Sequence, residues 1–321
     1  QEASARCLDL LRARVAERMV AAAAAEGLGG EVLGPGLAEH TTLRVGGAAD
    51  AVVRVRTLDE LAGWASLAWR EGLPLRVLGR GSNVLVGDGG FDGVVLVNRC
   101  EAWTIDPDTG RVDAEGGVSL ASLARQLAKA GWSGLEAAVG IPGSVGASVA
   151  TNAGAHGWSM ADGVESVLVL DRGGGTRRLG PGELAFGYRT SALKGDPDVV
   201  VLRATLRVRR DDRAAIEARI AEHAEHRRRT QPATPSVGSM FKNPPGDHAG
   251  RLIEAAGLKG TRIGGARISP MHANFFVNEG GARAADVGAL IALARRTVRE
   301  RFGVELELEI EPIGAIDGDP G

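Results

Sequence analysis

Two glycine-rich segments place the strongest constraint on what this chain can fold into. The first, residues 79–83, follows a predicted strand over 75–78 and is typical of a loop that holds a phosphate. A G-x-G is present, but no third glycine comes three residues later, and the following residues 84–86 predict a strand rather than a helix. Loop amides, and not a helix N-terminus, would therefore hold the anion. A tight turn between two strands is the alternative interpretation.

The second segment covers residues 140–147 and 151–157 and consists almost entirely of small residues. Small residues let the backbone approach a ligand closely, and the serine, threonine and asparagine among them supply hydrogen-bonding groups. A linker is the alternative, but Ile141, Pro142 and Val145 make the segment more apolar than a flexible linker. We expect His156 within it to be structural. Two such loops without the dinucleotide-binding fingerprint predict a different dinucleotide fold.

The composition favours a globular protein of two or three domains. The chain has 321 residues, and 44% of them are apolar, so a sizeable core can form. Lys and Arg number 38, Asp and Glu number 40, and aromatic residues are 4%, which disfavours nucleic-acid binding. No apolar run reaches the ~18 residues of a membrane helix. Cys7 and Cys100 show no disulfide framework and no metal spacing. We therefore expect a cytoplasmic protein with no membrane partner, no nucleic-acid partner and no metal.

Hydrophobic periodicity predicts a mixture of helices and strands. Strands are predicted over 51–55, 75–78, 84–86, 93–97, 111–114, 164–170 and 199–208. Helices are predicted near the N-terminus, from residue 58, and over 120–130, 210–229 and 284–302. Strict alternation of aliphatic residues and glutamates over 304–311 predicts a further strand with four carboxylates on one face.

Further motifs follow one another along the chain. They are FGYRTS at 186–191, GSMFKNP at 238–244, AGRLIE at 249–254, GLKG at 257–260, IGGA at 263–266, HANF at 272–275 and EIEPIG at 309–314. Together with TTLRVGG at 41–47 and both glycine-rich segments, they resemble the UDP-N-acetylenolpyruvoylglucosamine reductase family, also called UDP-N-acetylmuramate dehydrogenase or MurB. The FAD-binding domain of that family is of the vanillyl-alcohol-oxidase (PCMH) type. The resemblance covers about residues 37–314.

The resemblance implies an α+β protein with a two-part FAD-binding domain of the vanillyl-alcohol-oxidase type, followed by a smaller α+β substrate-binding domain. We assign residues 1–36 to an N-terminal helical segment, 37–209 to the FAD-binding domain, 210–314 to the substrate-binding domain and 315–321 to a tail. The implied activity is NADPH-dependent reduction of UDP-N-acetylglucosamine enolpyruvate to UDP-N-acetylmuramate for peptidoglycan synthesis. The substrate would be a sugar nucleotide and the protein a monomer. No His or Cys suits covalent attachment, so the FAD is expected to be non-covalent.

Three residues suit the catalytic roles that this reaction requires. The flavin would give hydride to the vinyl methylene of the enolpyruvyl ether, so that negative charge develops on the neighbouring carbon and its carboxylate. Arg189 would bind the carboxylate with its guanidinium fork, and Ser239 would donate a proton to the α carbon. Glu309 would share a proton with the carboxylate or help to protonate the intermediate. On pattern alone Glu309 is one of four equivalent glutamates, and only its place before Ile313 selects it.

The resemblance also implies binding residues. FAD contacts are expected from Arg44, Gly79, Arg80, Gly81, Ser82, Asn83, Gly140, Ile141, Pro142, Gly143, Ser144, Gly146, Ala147, Asn152 and Gly154. Substrate contacts are expected from Tyr188, Lys242, Asn243, Lys259 and His272. His156 stands where relatives usually carry a tyrosine, and Tyr188 is the only tyrosine of the chain.

Two other interpretations stay open at this point. A paralogue of the family would reduce a different enol ether or an unsaturated acid with the same catalytic residues. A non-catalytic flavin-binding protein would need only the glycine-rich loops, and the joint presence of Arg189, Ser239 and Glu309 argues against it.

Overall fold

The computed structural model of the chain describes residues 2–318, apart from the side chains of residues 2–7 and 9. Residues 319–321 of the predicted tail lie outside the described residues. The helices are α1 (Glu2–Ala25), α2 (Leu58–Arg70), α3 (Leu120–Lys129), α4 (Val145–Ala150), α5 (Pro181–Leu184), α6 (Arg213–Thr230), α7 (Ala249–Ala255) and α8 (Ala284–Phe302). The strands are β1 (Glu31–Val32), β2 (Ala49–Val55), β3 (Leu75–Leu78), β4 (Val84–Val86), β5 (Phe91–Asn98), β6 (Trp103–Asp106), β7 (Arg111–Glu115), β8 (Trp132–Ser133), β9 (Gly154–Ala155), β10 (Trp158–Ser159), β11 (Val164–Asp171), β12 (Thr176–Leu179), β13 (Val199–Arg207), β14 (Arg209–Arg210), β15 (Ser236–Ser239), β16 (Arg262–Ile263), β17 (Ala266–Ile268), β18 (Phe275–Asn278) and β19 (Glu311–Ile313).

The described residues form two compact units, and each unit combines separate stretches of chain. Unit 1 consists of the residues up to Gly34, Asp50–Arg80 and Gly93–His226. Unit 2 consists of Pro35–Ala49, Gly81–Asp92 and the residues from Arg227 onwards. The first glycine-rich loop is therefore divided between the two units after Arg80.

Unit 1 contains two main sheets, each with its own core. The first has the order β1-β2-β5-β3, in which β3 and β5 are parallel. Helix α2 buries Leu61, Trp64 and Leu67 in the core of this sheet, at the helical spacing that the sequence predicts. The Thr57 side chain caps this helix by accepting a hydrogen bond from the Glu60 amide at 3.2 Å.

The second sheet of unit 1 is antiparallel, with the order β12-β11-β13-β7-β6. Helix α3 places Leu120, Leu123 and Leu127 in the core of this sheet. The turn over 172–175 joins β11 to β12, and the Gly174 amide donates to the Asp171 carbonyl at 2.9 Å. This half of unit 1 carries the second glycine-rich segment and Arg189.

Unit 2 has an antiparallel sheet of order β15-β18-β17-β16 and a separate parallel pair, β4 with β19. Helix α8 has the bounds that the amphipathic spacing predicts, and the apolar residues of its inner face are fully buried in the core of unit 2: Val287, Leu290, Ile291, Ala294 and Val298. Its N-terminus is capped from a distant loop: the Asp88 carboxylate accepts hydrogen bonds from the amides of Ala284 at 2.9 Å and Ala285 at 3.1 Å.

The strand predicted over 304–311 is wrong as a regular element. Only β19 is regular there, and the preceding residues make a single antiparallel bridge between Leu308 and Phe241. The cause is a change of partner, because the segment pairs with residue 241 at one point and with β4 from Glu311 on. The alternation of burial holds in part: Leu306 and Ile310 are buried and Glu307 is exposed, whereas Leu308 and Glu309 are both half-buried.

The predicted N-terminal helix forms as α1 and buries part of one face in unit 1. Met19 and Ala23 belong to the core beside α2, whereas Leu10 and Leu11 are more than half exposed. No helix among residues 2–318 is long and apolar enough to cross a lipid bilayer. Within the same residues, no group of three or more His, Cys, Asp or Glu side chains is arranged to hold a metal ion.

Candidate active site

Arg189 lies in a two-residue turn of unit 1, closed by a pair of backbone hydrogen bonds. The Gly187 amide donates to the Thr190 carbonyl at 3.0 Å, and the Thr190 amide donates back at 3.3 Å. Arg189 has φ +57°, in the left-handed region that costs a side chain conformational energy. Such strain persists only where the surroundings hold the residue in place, and it is concentrated at functional sites.

The second glycine-rich segment supplies the groups that hold this turn. The Arg189 Nη2 donates to the Gly154 carbonyl at 2.8 Å. The Asn152 side chain donates to the Gly187 carbonyl at 2.8 Å and accepts from the Ala161 amide at 3.0 Å. Two predicted cofactor residues are thus brought next to the predicted catalytic arginine. The Asn152 side chain has a structural task here that is separate from any contact with FAD.

Left-handed backbone recurs at the predicted site. The non-glycine residues of the described chain with positive φ are Arg44, Asn152, His156, Ala185 and Arg189. Three of these are predicted site residues. Arg44 belongs to unit 2, where its amide donates to Thr41 Oγ1 at 3.1 Å. The neighbouring Thr42 amide donates to the Gly81 carbonyl at 3.0 Å, so the Arg44 segment meets the end of the first glycine-rich loop.

Tyr188 and His156 flank this part of unit 1. Tyr188 is 55% exposed, and the Arg189 guanidinium carbon lies 5.4 Å from the centre of its ring. His156 occupies the turn between β9 and β10 and stacks on His223 of α6, with 4.2 Å between ring centres. A second α6 ring, His226, meets His156 edge-on at 5.3 Å. These contacts support the structural role predicted for His156.

The two glycine-rich segments meet directly within unit 1. A Cβ atom at Gly79 would lie 2.1 Å from Ser144 Oγ, so no side chain fits there. Ser144 precedes the short helix α4, whereas the sequence indicated only an irregular loop. The packing around this segment is set by backbone bonds: the Leu120 amide donates to the Gly143 carbonyl at 3.0 Å, and the Gly146 amide donates to the Gly116 carbonyl at 2.9 Å.

Arg80 provides a cationic group next to Gly79 in the first glycine-rich segment. Its Nη2 pairs with Glu101 at 2.8 Å, and its Nε is buried without a hydrogen-bond partner among the described residues. A cavity of about 290 Å³ opens beside Arg80, Trp103 and Ser119. Ser119, one of its lining residues, forms an isolated bridge with Ser144 of the second glycine-rich segment.

In unit 2, a β-bulge sets the position of Ser239. The pairing of β15 with β18 passes from Ser236–Val277 to Ser239–Phe275, which leaves one extra residue on β15. Gly238 has φ +78°, a conformation that glycine adopts without strain. Bulges of this kind re-aim a neighbouring side chain, here that of the predicted proton donor.

Glu309 lies on a segment that is hydrogen-bonded to the residues after Ser239. The Glu309 amide donates to the Met240 carbonyl at 2.9 Å, and the Lys242 amide donates to the Glu307 carbonyl at 2.8 Å. The Lys242 Nζ is also paired with the Glu307 carboxylate. Unit 2 therefore brings Ser239, Lys242 and Glu309 onto two directly bonded segments.

The remaining predicted substrate residues lie on other elements of unit 2. The Asn243 side chain accepts a hydrogen bond from the Ala249 amide at 3.1 Å, at the start of α7. The Lys259 Nζ pairs with Glu254 at 2.9 Å. Burial, and secondarily the charge of Lys259, lowers the pKa of His272 below its ordinary value. A neutral His272 accepts from the Asn274 amide at 3.2 Å through Nδ1.

Asn274 is a buried residue whose role the sequence did not reveal. Its side chain accepts from the Phe241 amide at 3.0 Å and donates to the Phe241 carbonyl at 2.8 Å. Phe241 faces Leu308 as a non-hydrogen-bonded pair, so its own peptide groups point away from the Glu309 segment. Asn274 thus replaces a neighbouring strand on that side. The motif HANF contained this residue, but nothing local indicated its partner.

Comparison with known proteins identifies the family. Residues 49–180 match a family described as "FAD binding domain", and residues 231–313 match "UDP-N-acetylenolpyruvoylglucosamine reductase, C-terminal domain". Similar proteins include UDP-N-acetylenolpyruvoylglucosamine reductase 2 of Symbiobacterium thermophilum, 48% identical over 276 residues (86% of this chain, 89% of that protein). The reductase of Chloroflexus aggregans is 46% identical over 286 residues (86% of this chain, 95% of that protein).

Among solved structures, UDP-N-acetylenolpyruvylglucosamine reductase (MurB) from Thermus caldophilus is similar with a TM-score of 0.77 and 40% identity, over 89% of this chain and 100% of that one. The fold and these matches define a flavin-dependent oxidoreductase of the α+β class with an FAD-binding domain. More specifically, the chain belongs to the UDP-N-acetylenolpyruvoylglucosamine reductase (MurB) family. The family predicted from the motifs is confirmed.

Proposed function

We propose that this protein reduces UDP-N-acetylglucosamine enolpyruvate to UDP-N-acetylmuramate, with FAD as cofactor and NADPH as reductant. The geometric observation that carries the proposal is the 2.9 Å bond between the Glu309 amide and the carbonyl of Met240, the neighbour of Ser239. A proton donor and a carboxylate on directly bonded segments suit the addition of a proton beside a substrate carboxylate.

The residues of the glycine-rich loops fit FAD. The Arg80 guanidinium offers a buried Nε without a partner in the described chain, as an anion-binding group would. Ser144 leaves no room for a side chain at Gly79, so the backbone of the loop stays bare at this residue, which suits a pyrophosphate. Bound FAD would supply the hydride that reduces the vinyl group. With no suitable attachment residue, we propose that it is held non-covalently.

We propose three roles for the residues around the substrate. Arg189, held by its left-handed turn and by Gly154, would bind the enolpyruvyl carboxylate. Ser239 would give a proton to the α carbon. Glu309 would share a proton with the carboxylate and so stabilise the charge that develops there.

We propose a cytoplasmic monomer, an FAD-binding domain over residues 37–209 and a substrate-binding domain over 210–314. The substrate-binding residues would be Tyr188, Lys242, Asn243, Lys259 and His272.

Anaerobic stopped-flow absorbance tests the function. NADPH should bleach the flavin, and UDP-N-acetylglucosamine enolpyruvate should restore its colour. Ser239→Ala should keep flavin reduction near the wild-type rate but slow reoxidation by at least ~10²-fold, the low end for loss of a positioned acid.

Ser236→Ala is the matched control, because Ser236 lies on the same strand before the bulge. It should leave both half-reactions at wild-type rates. Equal losses in both half-reactions of Ser239→Ala would mean a structural serine. A flavin that NADPH bleaches but the enolpyruvyl compound cannot reoxidise would exclude the proposed substrate.

A further inference from the structure

We propose that Asn83 is a positioning residue for Glu309, so that a loop predicted to bind the cofactor also sets the place of the catalytic carboxylate. The proposal rests on the proposed function, because it takes Glu309 as the group that acts on the substrate. All the contacts that carry it lie within unit 2.

Asn83 holds the Glu309 segment at two points. Its side-chain Nδ2 donates to the Glu309 carbonyl at 3.3 Å, and its own carbonyl accepts from the Glu311 amide at 2.9 Å. Between these two points lies Ile310, which is only 3% exposed. These contacts continue into the parallel pairing of β4 with β19, in which Val84 is paired with Glu311. Asn83 is therefore the first residue of a continuous attachment and the one that reaches Glu309.

The opposite side of Glu309 is fixed by the Ser239 segment. The Glu309 amide donates to the Met240 carbonyl at 2.9 Å, and Leu308 bridges Phe241. Both peptide groups that flank the Glu309 α carbon are thus hydrogen-bonded, one towards Ser239 and the other towards Asn83. Hydrogen bonds on both sides of the Glu309 α carbon fix the point from which its side chain extends. A carboxylate that acts on one particular group of the substrate requires such a fixed position.

The bond to the Glu309 carbonyl requires the chemistry of asparagine. A carbonyl only accepts, so its partner must donate, and the side-chain amide of asparagine does so at this short reach. Aspartate has the same size and shape, but its ionised carboxylate cannot donate and would repel the carbonyl. A cofactor contact by Asn83 would then use its main chain, which Asn83→Asp and Asn83→Ala both leave in place.

Hydrogen exchange followed by mass spectrometry on the purified holoprotein tests the contact directly. In Asn83→Asp and Asn83→Ala, peptides covering 305–313 should exchange about 5-fold faster, the effect of one lost hydrogen bond of typical net strength. Asn278→Ala is the matched control. Its Nδ2 also donates to a backbone carbonyl of unit 2, that of Leu43 at 2.9 Å, but it does not touch the Glu309 segment. Its 305–313 peptides should exchange at the wild-type rate.

Two solution measurements separate positioning from cofactor binding. With FAD saturating, both Asn83 variants should be reduced by NADPH at the wild-type rate, whereas reoxidation by the enolpyruvyl substrate should slow by about 5–10-fold. Their dissociation constants for FAD should stay within about 2-fold of wild type.

Unchanged exchange over 305–313 in Asn83→Asp would overturn the proposal. So would a slow variant that excess FAD restores to the wild-type rate, since Asn83 would then act on the cofactor alone. If the wild-type protein fails to reduce the enolpyruvyl substrate, the proposed function fails, and the exchange measurement still decides whether Asn83 holds the Glu309 segment.

Discussion

Replacing Asn274 with alanine is the sharpest test of how the segment of unit 2 that follows the predicted proton donor Ser239 is held in place. The substitution leaves the Phe241 amide and carbonyl without the partners that they have at 3.0 and 2.8 Å. Water cannot replace these partners readily, because Phe241 is fully buried and Asn274 is 3% exposed.

The magnitude follows from these two bonds. A buried polar group left without a partner costs about 1–3 kcal/mol, so two of them should lower the free energy of unfolding by about 2–6 kcal/mol. This is a large part of the ~5–15 kcal/mol that stabilises a typical domain. The backbone bond from the Met240 amide to the Asn274 carbonyl, at 2.8 Å, survives the substitution and should keep the strand pairing in place.

Urea unfolding followed by circular dichroism measures the loss. Tryptophan fluorescence is unsuitable alone, because all five tryptophans lie in unit 1: Trp64, Trp69, Trp103, Trp132 and Trp158. Asn278→Ala is the control, since the Asn278 side chain bonds Leu43, Gly280 and Ala282 in a half-buried place that water can reach. Equal losses in the two variants, or a loss below about 1 kcal/mol for Asn274→Ala, would refute the reasoning.

Four further outcomes are expected. Glu309→Gln should slow flavin reoxidation by the enolpyruvyl substrate by at least ~10²-fold. Glu307→Gln should change this rate little, because the Glu307 carboxylate is exposed and pairs with Lys242. A larger loss in Glu307→Gln than in Glu309→Gln would refute the assignment of Glu309. Because burial lowers the pKa of His272, the native state resists protonation of this group, and stability should fall as the pH drops below about 6.5. The melting temperature of His272→Gln should therefore fall less between pH 7 and pH 5 than that of the wild type. An equal fall in the two proteins would contradict this role of His272. Burial raises the pKa of the Cys100 thiol to about 12, so iodoacetamide at pH 8 should modify Cys100 in urea but not in the folded protein, as peptide mass spectrometry will show. Denaturation should release FAD into the supernatant, and flavin retained by the precipitate would disprove non-covalent binding.

The sequence alone determined the elements that local spacing controls. The bounds of α8 follow from apolar residues three, four and seven apart, because a helix face depends only on neighbouring positions. Most of the predicted strands are present in the structure, and so are α2 and α3, because their hydrophobic periodicity also depends only on neighbouring positions. The family also followed from the sequence, since its motifs are short, contiguous runs around Arg189, Ser239 and Glu309.

Only the tertiary structure decided how the candidate site is held together. The partners that matter are far apart in sequence: Asn274 is 33 residues from Phe241, Asp88 is 196 from Ala284, and Asn83 is 226 from Glu309. The bulge at Gly238, the left-handed turn at Arg189 and the absence of a regular strand over 304–310 depend equally on pairings with distant segments. Hydrophobic periodicity indicates which face of an element is buried, but it does not indicate which remote carbonyl or amide will complete a hydrogen bond.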